Sequence, residues 1–235
     1  MKIQAAAEEV VVALEKLGRP ERAAKSEYYA PTSMRVLGVP VPELRVMIRA
    51  LKQRYGDWNG REWIAFSKAL VATGIFECQG LAYDLIARNR EILASVTAGD
   101  LRTLGRNLDN WGSVDSFGVG ILGVLWRTGV VKDGQVTGLL GSDDHWQRRL
   151  AVVSTVALNL KSRGGTGDTE RTLRVCAHVV DDHHEMIQKA LSWALRELSK
   201  RDPEAVREFV ERHRSHLAGR VLREVSHKLD FGTKN

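Results

Sequence analysis

The chain has 235 residues, 43% of them hydrophobic, and a formal net charge of +6 at pH 7. This length and apolar content exclude an intrinsically disordered chain and are enough for one large or two small globular units. The excess of Lys and Arg favours a polyanionic partner such as a nucleic acid, with a merely solvated basic surface as the alternative.

Cysteine usage and hydropathy exclude several further classes. Cys78 and Cys176 lie far apart without metal-type spacing, so neither a zinc site nor a disulfide scaffold is indicated. Glu8, Glu9 and Glu15 interrupt the apolar N-terminus, which excludes a signal peptide, and no run of about eighteen apolar residues is present. We expect a soluble, cytoplasmic protein with no metal, no cofactor and no membrane partner.

The N-terminal part predicts two helices separated by a break. Residues 1–17 carry apolar residues at helical spacing and are expected to form a capping helix that ends before Pro20. The run 37–42 cannot continue a helix, because proline lacks an amide proton and restricts the residue before it. Pro42 then begins a new helix with Glu43 in its first turn.

The rest of the chain is periodic. Helix-like segments with mixed polar and aromatic starts open near Glu77, Trp111, Trp146 and Met186, at intervals of about 34, 35 and 40 residues. Such spacing is typical of stacked helical pairs that bury their apolar faces against their neighbours. We therefore predict an all-α fold, an α-α superhelix or curved solenoid. No linker separates two domains, so residues 1–235 are expected to form a single domain with a polar tail at 230–235.

Gly118, Gly120 and Gly123 match the dinucleotide-binding pattern GxGxxG, and Asp143 follows at the distance of a ribose-binding acid. That pattern requires a buried strand directly before it, whereas the preceding residues are polar and predict a loop that leads into a helix. Glycines spaced along a helix also let a neighbouring helix approach closely. We favour this packing role over cofactor binding.

Two other segments resemble functional motifs only superficially. His178, His183, His184 and Glu185 suggest metal ligands, but adjacent histidines cannot both point at one ion from a regular helix, so a surface helix start is favoured. The glycine-rich run at 163–168 lacks the Lys-Ser or Lys-Thr of a phosphate-binding loop and predicts a flexible connection.

The segment 110–117 is more informative, because it places Trp111 and Asp115 four residues apart at the start of an apolar helix. An acid near a helix N-terminus can cap backbone amides and interact with the helix dipole. A tryptophan can equally be a core residue. The residue pattern by itself leaves these structural roles and a functional role open.

Several motifs together resemble the AlkD family of alkylpurine DNA glycosylases. They are Trp111-Gly-Ser-Val-Asp115-Ser, Trp146-Gln-Arg-Arg149, and Gln188-Lys-Ala-Leu-Ser-Trp193-Ala-Leu-Arg-Glu197. Upstream, Tyr29 followed by Leu37-Gly38-Val39 and Pro42-Glu43 is similar to the family's N-terminal portion. The resemblance covers nearly the whole chain and implies HEAT-like helical repeats.

The resemblance also assigns roles to residues. It makes Asp115 the catalytic carboxylate, places Trp111 and Trp193 on either side of the damaged base, and assigns Arg149 to nearby DNA. Tyr29 matches a family tyrosine near the DNA surface. Basic residues of the predicted repeat helices are further candidates for contacts with the DNA backbone: Arg148, Lys189, Arg196, Arg223 and Lys228.

The chain departs from the family pattern at two positions of the first motif. Asn110 and Gly112 stand where the family often has another acid and a second aromatic residue. Neither position belongs to the implied catalytic set. A looser helix start at these positions would alter how Asp115 is held.

The implied reaction is hydrolysis of the N-glycosidic bond of positively charged alkylated purines, such as 3-methyladenine and 7-methylguanine, in duplex DNA. This reaction begins base excision repair. A carboxylate stabilises the positive charge that develops on the sugar, and tryptophan faces favour a cationic base. Two alternatives are a relative that binds DNA structures without catalysis and a HEAT-type scaffold for protein partners. We expect a monomer that associates with the nucleoid through DNA.

Overall fold

The computed structural model describes residues 2–233, and the regular secondary structure of these residues consists of helices joined by turns and loops. The described residues contain no β-strand, and extended pairing among them is limited to an isolated parallel bridge between Arg35 and Ile75. The predicted all-α class is confirmed. Within residues 2–233, no helix is both long and apolar enough to cross a membrane.

The α-helices of the described residues are numbered in chain order. They are α1 Lys2–Leu17, α2 Pro20–Tyr29, α3 Val41–Arg54, α4 Gly60–Ala72, α5 Phe76–Ala87, α6 Arg90–Ala94, α7 Ala98–Leu104, α8 Trp111–Phe117, α9 Gly123–Arg127, α10 Asp133–Thr137, α11 His145–Ser154, α12 Val156–Asn159, α13 Thr169–Ala177, α14 Glu185–Leu198, α15 Pro203–Arg212 and α16 Gly219–Phe231. A π-helical turn, Gly118–Leu122, joins α8 to α9, and 3₁₀ turns occupy Gly138–Gly141 and Lys161–Arg163.

The predicted repeat starts coincide with observed helix starts. Helices α5, α8, α11 and α14 begin at Phe76, Trp111, His145 and Glu185, each within one residue of its predicted position. Asn110, Asp144 and His184 precede α8, α11 and α14 and accept hydrogen bonds from the first backbone amides of these helices. Helix α5 has no such side-chain cap. The predicted polar tail begins inside α16, which continues to Phe231. Met1 of the predicted capping helix and the last two tail residues, 234 and 235, lie outside the described residues.

Contacts divide the chain into two compact units, Met1–Ser116 and Phe117–Asn235. In the first unit, α4 packs against α5 and α1, and the fully buried side chains include Leu14, Ile64 and Leu85. Helix α2 differs from these helices because none of its residues is buried. The single-domain organisation stays a prediction.

The loop after α2 holds that helix at its N-terminal end. Gly38 has φ +76°, and a Cβ at this position would lie 2.3 Å from the carbonyl oxygen of Arg19, so a larger residue is excluded. The buried carboxylate of Glu77 accepts hydrogen bonds from the backbone N–H groups of Leu37, Gly38 and Val39, at 2.6 to 3.2 Å. The Leu37-Gly38-Val39 motif is therefore a backbone cradle for Glu77.

In the second unit, α14 packs against both α11 and α16. A Cβ at Gly118 would lie 2.6 Å from Cγ2 of Val153, and one at Gly123 would lie 2.3 Å from the carbonyl oxygen of Ser154. These distances leave no room for a side chain. They confirm the prediction that these glycines permit close helix packing.

The histidine-rich segment forms a helix start, as predicted. His184 is the N-cap of α14, where its Nδ1 accepts a hydrogen bond from the N–H of Met186 at 3.2 Å. Its ring stacks on His145 with a centroid distance of 4.0 Å. Burial, together with the nearby His184, lowers the pKa of His145. The segment therefore holds the starts of α14 and α11 together.

Candidate nucleic-acid interface

The start of α8 is capped by Asn110. This side chain is fully buried, its Oδ1 accepts a hydrogen bond from the N–H of Ser113 at 2.9 Å, and its Nδ2 donates to Oγ of Ser113 at 3.1 Å. A Cβ at Gly112 would lie 3.3 Å from the same Oδ1. The capping role therefore falls to Asn110 rather than Asp115, and the helix start is tightly packed at Gly112.

Asp109, directly before this cap, binds the segment that follows α2. Its carboxylate accepts three hydrogen bonds of 2.6 Å, from Oγ1 of Thr32 and from the backbone N–H and Oγ of Ser33. Burial acts to raise the pKa of Asp109, but the hydrogen bonds from Ser33, Thr32 and Asn110 outweigh it and hold the pKa below its usual value. The start of α8 and the end of α2 are thus fixed to each other.

Trp111 and Tyr29 are brought together by the same arrangement. The indole Nε1 of Trp111 donates a hydrogen bond of 2.9 Å to the carbonyl oxygen of Tyr29, while 44% of Trp111 stays exposed. Tyr29 is 63% exposed, and its ring packs edge-to-face against the exposed Tyr28 at 5.3 Å. Because the polar edge of the indole is already satisfied, the exposed part of Trp111 is an apolar aromatic surface held in a defined orientation.

Asp115 lies one helical turn after Trp111, on the same face of α8. Its side chain is half-buried. The cap formed by Asn110 and the bonds of Asp109 fix the helix that carries it. The first unit therefore presents an aromatic surface and a carboxylate from one short, well-anchored helix.

The two arginines of α11 differ in their surroundings. Arg149 is only 5% exposed and donates a hydrogen bond to the carbonyl oxygen of Met186 at the start of α14. Arg148 forms an ion pair of 2.7 Å with Asp182 and donates to the carbonyl oxygens of Ser142 and Asp143. These contacts engage both arginines within the protein, and contact of either with DNA stays a prediction.

Lys189 and Trp193 line one groove of the second unit, together with Arg196, Arg220 and Glu224. The groove lies between α14 and α16 and has a volume of about 380 Å³. The three α14 residues share one face because they are spaced by about one helical turn. Three cations, one carboxylate and the half-buried Trp193 thus form the lining of this groove, which carries a net positive charge.

A buried carboxylate organises this groove. Glu224 is 8% exposed and accepts hydrogen bonds from Oγ of Ser192 at 2.7 Å and from Nε of Arg220 at 3.1 Å. Nε of Arg196 donates to the same Ser192 hydroxyl at 3.2 Å. Burial lowers the pKa of Arg196, and the carboxylates of Glu224 and Glu197 oppose that shift.

The remaining basic candidates lie outside this groove. Arg223 is exposed on α16. Lys228 donates to the carbonyl oxygen of Gly232 and so helps to terminate α16. Sequence patterns pointed to neither Asp109 nor Glu224. Thr32 and Ser33 lie 77 and 76 residues from Asp109, and Ser192 lies 32 residues from Glu224. The Asn110 and Ser113 spacing, by contrast, is a local capping signal that the sequence already contains.

Other reactive groups of the described residues do not form a second site. No group of three or more His, Cys, Asp or Glu among them is arranged to hold a metal ion. Burial raises the pKa of Cys78 to about 11 and that of Cys176 to about 12, so both thiols are protonated at neutral pH.

Comparison with known proteins places the chain in a family. The model for the DNA alkylation repair enzyme family matches residues 10–229. The chain belongs to this family. Repair of alkylation damage is therefore its function in general terms, and DNA is its partner.

The solved structure of a predicted DNA alkylation repair enzyme from Enterococcus faecalis has the same fold, with a TM-score of 0.72 and 22% sequence identity. The match covers 91% of this chain and 97% of that chain. Among curated proteins, none matches the chain.

Proposed function

We propose that this member of the DNA alkylation repair enzyme family is a glycosylase that hydrolyses the N-glycosidic bond of cationic alkylated purines in duplex DNA. The observation that carries the proposal is the paired arrangement on α8. An exposed tryptophan with its indole N–H already bonded lies one turn before a half-buried carboxylate. The pair supplies an aromatic face for a cationic base and a carboxylate for the positive charge that develops on the sugar.

The chemistry needs little proton transfer to the base. A purine alkylated at N3 or N7 carries a positive charge, so the N-glycosidic bond breaks with both electrons leaving on the base, which departs neutral. The sugar is left with oxocarbenium character, and water adds to its C1′ carbon. The carboxylate of Asp115 stabilises that positive charge and accepts a hydrogen bond from the attacking water, whose proton passes to solvent.

Selection of the damaged base is assigned to the tryptophans. The face of an indole carries negative quadrupole density and attracts a cation by about 0.5 to 2 kcal/mol. Trp111 presents such a surface from α8, and Trp193 presents one in the groove of the second unit. Contact of both with one lesion stays a prediction. Cationic adducts would be preferred to neutral bases without being the sole substrates.

The test is release of free base from a duplex that contains 7-methylguanine. The wild-type protein is expected to release the base faster than spontaneous depurination. Asp115→Asn is expected to lower the rate by about 100-fold or more, as loss of transition-state charge stabilisation does elsewhere, and to keep DNA binding. Asp57→Asn, which neutralises an exposed acid of the same unit, serves as the matched control and should release base at the wild-type rate.

Three outcomes would contradict the proposal. Absence of base release by the wild-type protein, with DNA binding intact, would support a non-catalytic protein that binds DNA structures. Release by Asp115→Asn at the wild-type rate would remove Asp115 from the reaction. Absence of both release and DNA binding would favour a scaffold for protein partners.

A further inference from the structure

The groove between α14 and α16 contains an acid whose position is unusual for a surface that binds DNA. Glu224 is buried among the cations of the groove rather than exposed at its edge. A carboxylate beside a phosphate-binding surface repels the phosphate by simple Coulomb interaction. The buried position of Glu224 therefore suggests a role other than direct contact with a phosphate.

The hydrogen bonds of Glu224 show what that role is. One carboxylate oxygen accepts from Nε of Arg220, and the other accepts from Ser192, whose hydroxyl oxygen in turn accepts from Nε of Arg196. The carboxylate of Glu224 thus holds Arg220 by a direct hydrogen bond, and Arg196 by a bridging hydroxyl group and an ion pair. The ion pair between Arg196 and Glu224 measures 3.5 Å.

Both guanidinium groups are bound through Nε, which fixes the plane of each group. A guanidinium group has five N–H donors in a rigid fork, so bonding at Nε still leaves donors of the terminal nitrogens for a second acceptor. A guanidinium group that is already oriented before binding loses less conformational entropy when it binds a phosphate.

We propose that the α14–α16 groove is a phosphodiester-binding site in which Glu224 is a positioning residue that orients Arg196 and Arg220 toward the DNA backbone. The ligand is an internal phosphate of duplex DNA, and Lys189 adds a further charge at the rim. The proposal rests on the proposed function only in taking DNA as the ligand, because it concerns affinity and not bond cleavage.

Glu185 provides a matched control beside the groove. Its carboxylate pairs with Lys189 at 2.7 Å and with Arg220 at 3.5 Å, but its side chain is 63% exposed against 11% for Glu224. An exposed ion pair of this kind contributes little to the orientation of the Arg220 guanidinium group. Glu185→Gln and Glu224→Gln therefore remove the same formal charge but only the second removes the buried hydrogen-bond acceptor.

The experiment measures binding of full-length variants to an undamaged duplex over a range of salt concentrations. Charge alone predicts tighter binding by both variants, since each loses one negative charge. We expect Glu224→Gln to bind about fivefold more weakly, since hydrogen bonds to charged groups are the stronger ones, and Glu185→Gln to bind as tightly as wild type or tighter. The salt slope of Glu224→Gln should fall by about 0.9 for each phosphate that the variant no longer neutralises.

Ser192→Ala keeps every charge of the groove and removes only the bridging hydroxyl group. It is expected to weaken binding in the same direction as Glu224→Gln but less, and it decides the question where Glu224→Gln is too unstable to assay. Tighter binding by Glu224→Gln with an undiminished salt slope, or unchanged binding by Ser192→Ala, would overturn the proposal. Failure of the wild-type protein to release 7-methylguanine would instead overturn the proposed function and leave these binding results interpretable.

Discussion

The start of α8 and the α14–α16 groove hold their exposed side chains in different ways. At α8, a buried amide cap, the bonds to Asp109 and one indole N–H fix Trp111 in a single orientation. In the groove, ion pairs hold Arg196 and Arg220 at Glu224, and Lys189 pairs with Glu185. Hydrogen bonds within a buried cap are insensitive to salt, whereas charges near the surface are screened by it. Changes at α8 should therefore alter the rate of base release, and changes in the groove should alter affinity.

The largest effect on stability at the start of α8 is expected from Asp109→Ala. The substitution removes the acceptor of three hydrogen bonds from Thr32 and Ser33. The free energy of unfolding should fall by about 2 kcal/mol at neutral pH, as expected when donors lose a charged acceptor. Urea denaturation measures this change, and base release by the variant should also slow because the end of α2 is no longer tied to α8.

The pH dependence of this effect follows from the pKa of Asp109. Because the pKa is lowered in the folded protein, the carboxylate stabilises the fold above its unfolded pKa of about 3.9, and this contribution is lost as pH falls through the folded value. The difference between wild type and Asp109→Ala should therefore shrink at low pH. Asp57→Ala, at an exposed position, should show no such difference; an equal loss there would contradict the account.

A smaller effect is expected from Trp111. Replacement by Ala should lower the rate of 7-methylguanine release about twofold to 30-fold, which corresponds to a cation–π contribution of about 0.5 to 2 kcal/mol. Trp111→Phe keeps an aromatic face and should retain more of the rate, although it loses the bond to the carbonyl oxygen of Tyr29. Single-turnover kinetics at saturating enzyme measure both variants.

Trp58 offers a matched control for the loss of an indole. It stacks on Tyr55 with a centroid distance of 4.2 Å and is half-buried in the first unit. Trp58→Phe is expected to change stability without changing the rate of base release. Equal rates for Trp111→Ala and wild type would remove Trp111 from recognition of the base.

The smallest effect is expected at Lys189. Lys189→Ala should lower affinity for duplex DNA about threefold and reduce the salt slope by about 0.9, as removal of one phosphate-binding cation does. Arg148→Ala should leave the salt slope unchanged but reduce stability, because Arg148 is bonded to Asp182, Ser142 and Asp143. Binding titrations at several salt concentrations distinguish the two variants. A reduced salt slope for Arg148→Ala would show that Arg148 contacts DNA.

Much of the helical organisation follows from local sequence signals. Pro42 in the first turn of α3 and the polar starts of α5, α8, α11 and α14 act within a few residues, so the sequence alone locates these helices. The close approach at Gly118 and Gly123 was likewise predictable from their spacing. The π-helical turn between α8 and α9 was not, because it depends on packing rather than on helix propensity.

Less of the candidate site than of the helical organisation could be predicted from the sequence. The resemblance identified Trp111 and Asp115, but Asp109 and Ser33 are separated by 76 residues and their contact exists only in the folded chain. Periodicity placed both Arg148 and Arg149 on one helix without revealing that both are engaged within the protein. The role of Glu224 depends on packing of α16 against α14, which no local pattern indicates.

The most direct test of the division between α8 and the groove compares Asp115→Asn with Glu224→Gln in single-turnover release of 7-methylguanine. At saturating enzyme, the account predicts that Glu224→Gln reaches the wild-type rate despite weaker binding, while Asp115→Asn stays at least about 100-fold slower. A rate defect of Glu224→Gln that persists at saturation, or recovery of Asp115→Asn at high enzyme concentration, would contradict it.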